Sequence, residues 1–347
     1  MSFGIDNQSQ PIYYLPFILF GITTMKSLIC LGIASLLVGC ASPPSVNNTS
    51  PTTSTAATTR TTTLYDYTIA SPQGEPLSVT QLAHALKQAD IILVGEWHSH
   101  PAAHLLQAQL LAALYQQNPN ITLSMEQFTR DKQAIIDAYL AGKIGEKTLV
   151  KEANAWPNYD SDYRPLVEFA KQNNIDVMAA NAPKSIVRCI GRQGAEYLDK
   201  LPKNERLWVA RSLTLAPDAY QQTFIDSMHH GNEAQTKRQF AAQTTWDDTM
   251  AETMVDYLKQ HPQQQIIHVA GRFHTAEGLG TASRIQARNP KLKVMMVTPI
   301  SDKVSLHADA PDFTVKMQPL PQRYVQKDKM MAAMTAMGKR NTDLKCY

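Results

Sequence analysis

Five short apolar runs, each leading into a helical or loop-forming stretch, constrain this chain more than any other feature of its sequence. They are Ile91–Val94 (IILV), Ile121–Met125 (ITLSM), Ile175–Ala180 (IDVMAA), Gln265–Ala270 (QIIHVA) and Lys293–Ile300 (KVMMVTPI). Continuous apolar runs of this length suit strands buried on both faces. The first is succeeded by PAAHLLQAQLLAALYQQ, whose Pro101 fits the first turn of a helix. A long, mostly helical insertion separates the third run from the fourth, and there Met250, Met254, Tyr257 and Leu258 share one face. Strands alternating with helices predict an α/β domain whose mostly parallel central sheet is covered by helices on both sides.

Four of the runs give way to polar, titratable residues. The first ends in Gly95-Glu96-Trp97-His98, the second in Glu126-Gln127, the third in Asn181 and the fourth in Gly271-Arg272-Phe273-His274. Open α/β sheets bind ligands beyond the carboxyl ends of their strands. A lone polar residue at such a place is commonly a satisfied buried group. Four ends together predict a shared site.

Glu96, His98, Glu126 and His274 have the types needed for acid–base chemistry or for holding a divalent metal ion with a position left for water. Without a metal, a carboxylate beside an imidazole fixes its tautomer and raises its basicity. His100 and His104 lie four apart, without the glutamate of an HExxH pair, and read as solvent-exposed. His229 and His230 are adjacent, so at most one faces a site. The segment AWPNYDSDYRPLVEFA sets Trp156, Tyr159 and Tyr163 in a Pro/Asn/Asp-rich loop before a helix. It reads either as a hydrophobic plug or as an aromatic wall carrying a phenol able to ligate ferric haem. Arg164, Arg188 and Arg272 are candidate anchors for propionates.

The N-terminus is built differently. Residues 1–24 contain no Lys or Arg, and MKSLICLGIASLLVGC, Met25 to Cys40, has the plan of a secretory signal. Its Leu37-Val38-Gly39-Cys40 ending resembles a bacterial lipobox, with cleavage before Cys40 and lipid on its thiol. A transmembrane anchor made from both apolar runs is the alternative, but Lys26 interrupts it. The expected organisation is an N-terminal extension and signal over 1–39 with the true start at Met25, then the lipidated cysteine and a Thr/Ser-rich tether over 40–63. The α/β domain occupies 64–325, and a tail 326–347. The tether is too poor in apolar residues to offset its own ordering entropy. Ala41 is not the aspartate that retains lipoproteins in the inner membrane, which points to the outer membrane. Of four cysteines, Cys189 and Cys346 remain in the mature chain; they could pair in an oxidising compartment, but the polar tail around Cys346 argues against it. No basic block with interleaved aromatics suggests a nucleic-acid partner.

ILVGEWHSHPAAH, SMEQF, WPNYDSDYRPLVEFAKQNNIDVMAAN, FAAQTTWDDTMAETM and HVAGRFHTAEGLG occur in an order and spacing that resemble the ChaN-like iron-regulated lipoproteins. These form the cofacial haem-binding family of the haem-uptake/Tiki superfamily, and the resemblance runs from about Asp90 to Pro299. It implies a three-layer α/β domain that binds haem in the periplasm as a dimer, and possible dealings with an outer-membrane haem receptor or periplasmic transport components. It also implies a tyrosine on each iron, with Tyr163 the first choice and Tyr159 the second, and a partner-subunit histidine, for which His229 or His230 is the candidate. The superfamily contains hydrolases as well. Gly95-Glu96-Trp97-His98, Glu126 and His274 look like the residues of Tiki-type metalloproteases and erythromycin-esterase-like enzymes, so a metal-dependent hydrolase is the alternative.

Overall fold

A computed structural model describes residues 62–227, 232–339 and 344–347. The signal, Cys40, most of the tether, and His229 and His230 lie outside the described residues. Eight strands form one sheet: β1 (Tyr67–Ala70), β2 (Pro76–Leu77), β3 (Ile91–Glu96), β4 (Ile121–Thr129), β5 (Val177–Asn181), β6 (Gln265–Gly271), β7 (Val294–Ile300) and β8 (Phe313–Met317). Their order is β2-β1-β8-β7-β3-β6-β4-β5. From β8 to β5 every neighbour is parallel; β1 is antiparallel to both β2 and β8.

The helices described are α1 (Val79–Ala85), α2 (Pro101–Gln117), α3 (Gln133–Leu140), α4 (Glu146–Glu152), α5 (Arg164–Gln172) and α6 (Lys184–Gln193). They continue with α7 (Lys203–Arg206), α8 (Ala219–Ser227), α9 (Glu233–Gln260), α10 (Arg272–Thr275), α11 (Thr281–Arg288) and α12 (Lys327–Lys339). The expected three layers arise from strand alternation. On β3, Ile92 and Val94 join a core with Leu106 and Leu110 of α2 and Leu166 of α5, whereas Ile91 and Leu93 join Met250 and Met254 of α9 and Ile285 of α11. A strand buried on both faces has no polar positions, which is why it reads as an unbroken apolar run. The insertion between β5 and β6 is helical, α6 to α9, and the apolar stripe of α9 lies on the second core.

Gly95 is required by a close approach rather than by its backbone angles. A Cβ there would stand 2.6 Å from Thr275 Oγ1 and 3.0 Å from Pro299 Cδ. The sheet end is therefore packed directly against the start of the segment that carries His274.

Cys189 and Cys346 form a disulfide with Cα atoms 5.7 Å apart, contrary to the reading of the tail as too polar to dock. The tail makes its own contacts: Arg192 donates to the Leu344 carbonyl at 2.7 Å, the Tyr347 hydroxyl donates to Glu205 at 2.6 Å, and the Tyr347 ring stacks on Tyr197. Leu344 and Cys346 cover a small core that includes Val187 and Ile190 of α6.

Candidate functional site

Glu96 is the last residue of β3 and is fully buried on the side of α2. Its Oε1 faces His98 Nδ1 at 2.7 Å and accepts from the Tyr163 hydroxyl at 2.6 Å and from Gln127 Nε2 at 3.3 Å. Its Oε2 accepts from Gln107 Nε2 at 2.7 Å and lies 3.6 Å from His104 Nδ1. Burial opposes ionisation of this carboxyl, but the hydrogen bonds and charges of His98, His104 and Tyr163 outweigh it and hold its pKa below the usual value. Burial likewise works against the His98 imidazolium, yet Glu96 and Glu126 win and raise its pKa. The His98 side chain is 47% exposed, so this dyad reaches the surface.

A second dyad sits deeper. His274, on α10, meets Asp247 of α9 at 2.9 Å through Nδ1, and its Nε2 lies 3.7 Å from Glu126 Oε1. Asp247 also accepts from the Tyr220 hydroxyl at 2.8 Å and from Thr281 at 2.9 Å. Burial would drive His274 neutral, but the charges of Asp247 and Glu126 raise its pKa to about 9. Glu126 stands between the dyads. Its Oε2 accepts from the Gly271 amide at 2.6 Å. A Cβ on Gly271 would lie 3.0 Å from His98 Nε2 and 3.6 Å from Glu126 Oε2. His98 Nε2, Glu126 and His274 Nε2 therefore converge at the carboxyl ends of β3 and β6, beside Glu126's place in β4. A third histidine, His268 of β6, is fully buried with Nδ1 2.9 Å from Ser124 Oγ and Nε2 without a partner. Burial, with the charge of His274, lowers its pKa to about 3.

The four residues anticipated at the strand ends are thus brought together. They do not make a metal cage: among the described residues, no group of three or more His, Cys, Asp or Glu is placed to hold a metal ion.

Two expectations need correction. His100 and His104 are buried, not solvent-exposed. His100 caps α2 by accepting from the Ala102 amide, and its Nε2 meets the Gln318 carbonyl at 2.7 Å. His104 belongs to the site, between Glu96 and Asp162. Asn181 is a backbone tie, donating to the Glu126 carbonyl at 3.0 Å. Arg272 is occupied by the Pro299 and Ser305 carbonyls, both at 3.0 Å, and Arg164 by Glu146 and Asp160. Arg188 is half-buried on α6.

The aromatic loop folds inward. Tyr159–Tyr163 forms a π-helical turn, a wide turn that recurs at functional sites. Tyr163 is 0% and Tyr159 2% exposed. The Tyr163 ring packs edge-on against Trp156 and His104, and Trp156 in turn meets His98 at 4.8 Å between ring centroids. The Tyr159 hydroxyl is buried without a partner. Burial, then neighbouring Tyr139 for Tyr159 and Glu96 for Tyr163, pushes both phenols above their ordinary pKa.

A cavity of about 1030 Å³ lies elsewhere, beside the free edge of β5 among Arg130, Arg211, Glu252 and Tyr257. The strand-end cluster has the convergent titratable groups, so we take it as the candidate site.

The family model described as haem-binding uptake, Tiki superfamily, ChaN matches residues 82–285. ChaN of Campylobacter jejuni, solved with cofacial haem, has the same fold: TM-score 0.59 at 17% identity, over 73% of this chain and 98% of that one. An erythromycin esterase mutant in its open conformation gives a TM-score of 0.40 at 13% identity, over 78% of this chain and 87% of that one. Among curated proteins, RETICULATA-RELATED 5, chloroplastic, of Arabidopsis thaliana is 23% identical over 151 residues, 40% of this chain. The match spans only 20% of that protein's length.

Proposed function

Since this chain belongs to the family described as haem-binding uptake, Tiki superfamily, ChaN, we propose that it is a non-enzymatic haem-binding protein of iron acquisition. The match over residues 82–285 carries this reading. We place the protein at the periplasmic face of the outer membrane, held by lipid on Cys40. The LVGC motif supports the anchor, Ala41 supports the membrane, and the Cys189–Cys346 disulfide suits an oxidising compartment. A homodimer with cofacial haems is proposed by analogy with the Campylobacter neighbour.

An iron-bound tyrosinate does not fit the residues as they stand. Tyr163 has one hydroxyl proton and gives it to Glu96, Tyr159 is shut in, and the surroundings of both phenols favour the neutral form. Haem is therefore proposed for the chain without an assigned axial residue. Titration of the full chain with haemin, monitored by absorbance and by mass in solution, tests the reading. A saturable shifted Soret band with doubling of mass is expected; no saturable shift overturns haem binding.

The two dyads converging on Glu126 favour a second reading, hydrolysis by general acid–base catalysis. Glu96 would orient His98 so that Nε2 takes a proton from water, and the charged His274 would stabilise developing negative charge. Turnover of an ester or peptide panel that His98→Ala abolishes would support it. A panel with no turnover from pH 5 to 9 removes it.

A further inference from the structure

We propose that Tyr163 is a positioning residue for the Glu96–His98 dyad, gripping the carboxylate that aims the imidazole. The inference rests on the acid–base reading of that dyad. The π-helical turn and the residue that precedes it hold the dyad at two points. Tyr163 donates to Glu96 Oε1, the oxygen that also faces His98 Nδ1, and Asn158 Nδ2 donates to the His98 carbonyl at 2.8 Å and to Asp162 Oδ2 at 2.6 Å. Gln107 fixes the other carboxylate oxygen from α2. With its acceptor sites filled, Glu96 cannot rotate, so the proton of neutral His98 is kept on Nδ1 and the lone pair on Nε2. Nε2 is the atom beside Gly271 and Glu126.

Serving Glu96 and ligating iron are mutually exclusive for Tyr163, because both use the same oxygen and the first needs its proton. The aromatic neighbours agree with the first role. Tyr163 packs on His104, which itself sits between Glu96 and Asp162, and on Trp156, which leans on His98. Both ring contacts and the hydroxyl of Tyr163 lead back to the dyad.

Nitrogen-15 NMR of the full chain with labelled histidine, without haemin, reads the effect directly. The groups facing His98 are Glu96 from β3, Glu126 from β4 and His274 from α10, with Trp156 as an apolar neighbour; those facing Glu96 are His104 and Gln107 from α2, Gln127 from β4 and Tyr163. Tyr163→Phe keeps the ring and removes one donor from Glu96. The freed carboxylate becomes more basic and holds the imidazolium more tightly, so the His98 titration midpoint moves up. Gln107→Leu, which frees the other oxygen, moves it less. Glu96→Gln moves it down and mixes the tautomers. A merely structural tyrosine predicts no such ordering.

The proposal is overturned if Tyr163→Phe, with its fold intact by circular dichroism, leaves the His98 signals where the natural chain has them. It is also overturned if haemin binds the natural chain with a tyrosinate-type spectrum that Tyr163→Phe abolishes. Should haemin fail to bind at all, the haem reading falls, and the His98 signals alone decide this one.

Discussion

Replacing Asp247 with Asn should flatten the pH dependence of stability on the alkaline side. Asp247 is fully buried and carries the deeper dyad, with His274 Nδ1 at 2.9 Å. The folded pKa of His274 is raised to about 9. An unfolded histidine titrates near 6.5, so about 2.5 units at about 1.4 kcal/mol each give about 3.5 kcal/mol. Because the folded pKa is the higher one, that stability is fully present below pH 6.5 and is lost as the pH rises through about 9. Asparagine keeps the shape and an acceptor but removes the charge, leaving burial opposed only by Glu126.

The assay is urea unfolding of the full chain at several pH values from 6 to 9.5, compared between the natural protein and Asp247→Asn. The natural protein should lose about 3 kcal/mol across this window. The variant should be weaker at pH 6 and depend less steeply on pH, because only Glu126 still raises the His274 pKa, so the gap narrows upwards. Other groups titrating in this window, His98 among them, contribute to both proteins, and the difference in slope isolates the Asp247–His274 pair. A natural protein whose stability is flat or rising from 6.5 to 9, or a variant with an unchanged slope, refutes the reasoning.

His268 should act with the opposite sign: with a folded pKa of about 3, its contribution is present above pH 6.5 and lost on acidification, and His268→Gln should make acid unfolding shallower. Gly271→Ala places a Cβ 2.8 Å from His98 Cε1, so it should displace the imidazole from Glu96; unchanged His98 NMR signals would refute the close approach. Cys346→Ser should free residues 344–347, detected as faster carboxypeptidase trimming. Closing a loop of 157 residues could contribute about 5 kcal/mol by chain entropy; the loss should be smaller, because the reduced chain can shed its tail and stay folded. Equal trimming with and without the bridge counts against the docked tail.

The strands β3 to β7 are legible because a doubly buried strand leaves a continuous apolar run, and each expected range overlaps the observed one. β1, β2 and β8 leave no such run: β1 has a single buried residue in four, and β2 is two residues long. Glu96, His98, Glu126 and His274 are visible because polar residues at the ends of apolar runs have few other uses. His104 is illegible because an i,i+4 spacing says which residues share a helix face but not what covers that face. The cover is the turn at Tyr159–Tyr163, more than fifty residues later. Asp247 leaves a weaker trace, an acid on the same helical stripe as Met250, Met254 and Leu258. Its partner in β6–α10 can be assigned only once the sheet is assembled.

The charge of the crevice limits what it can hold. Glu96, Glu126 and Asp247 are carboxylates, against one imidazolium at His274 and a second, His98, whose charge depends on pH. Two of the arginines that could meet propionates are already engaged, Arg272 by carbonyls and Arg164 by acids. A ligand carboxylate entering beside Glu126 would meet like charge in a poorly solvated site, where repulsion is least screened. An electron-poor centre, such as a polarised carbonyl or a cationic metal, would meet His98 Nε2 and a net negative surround. The exposures give a direction of approach, since the His98 side chain is 47% exposed and that of His274 only 9%. A ligand therefore reaches His98 and Trp156 first, while His274 sets the field from behind. If haem is that ligand, its propionates belong outside the strand-end cluster, and added anions such as phosphate should compete with it weakly or not at all.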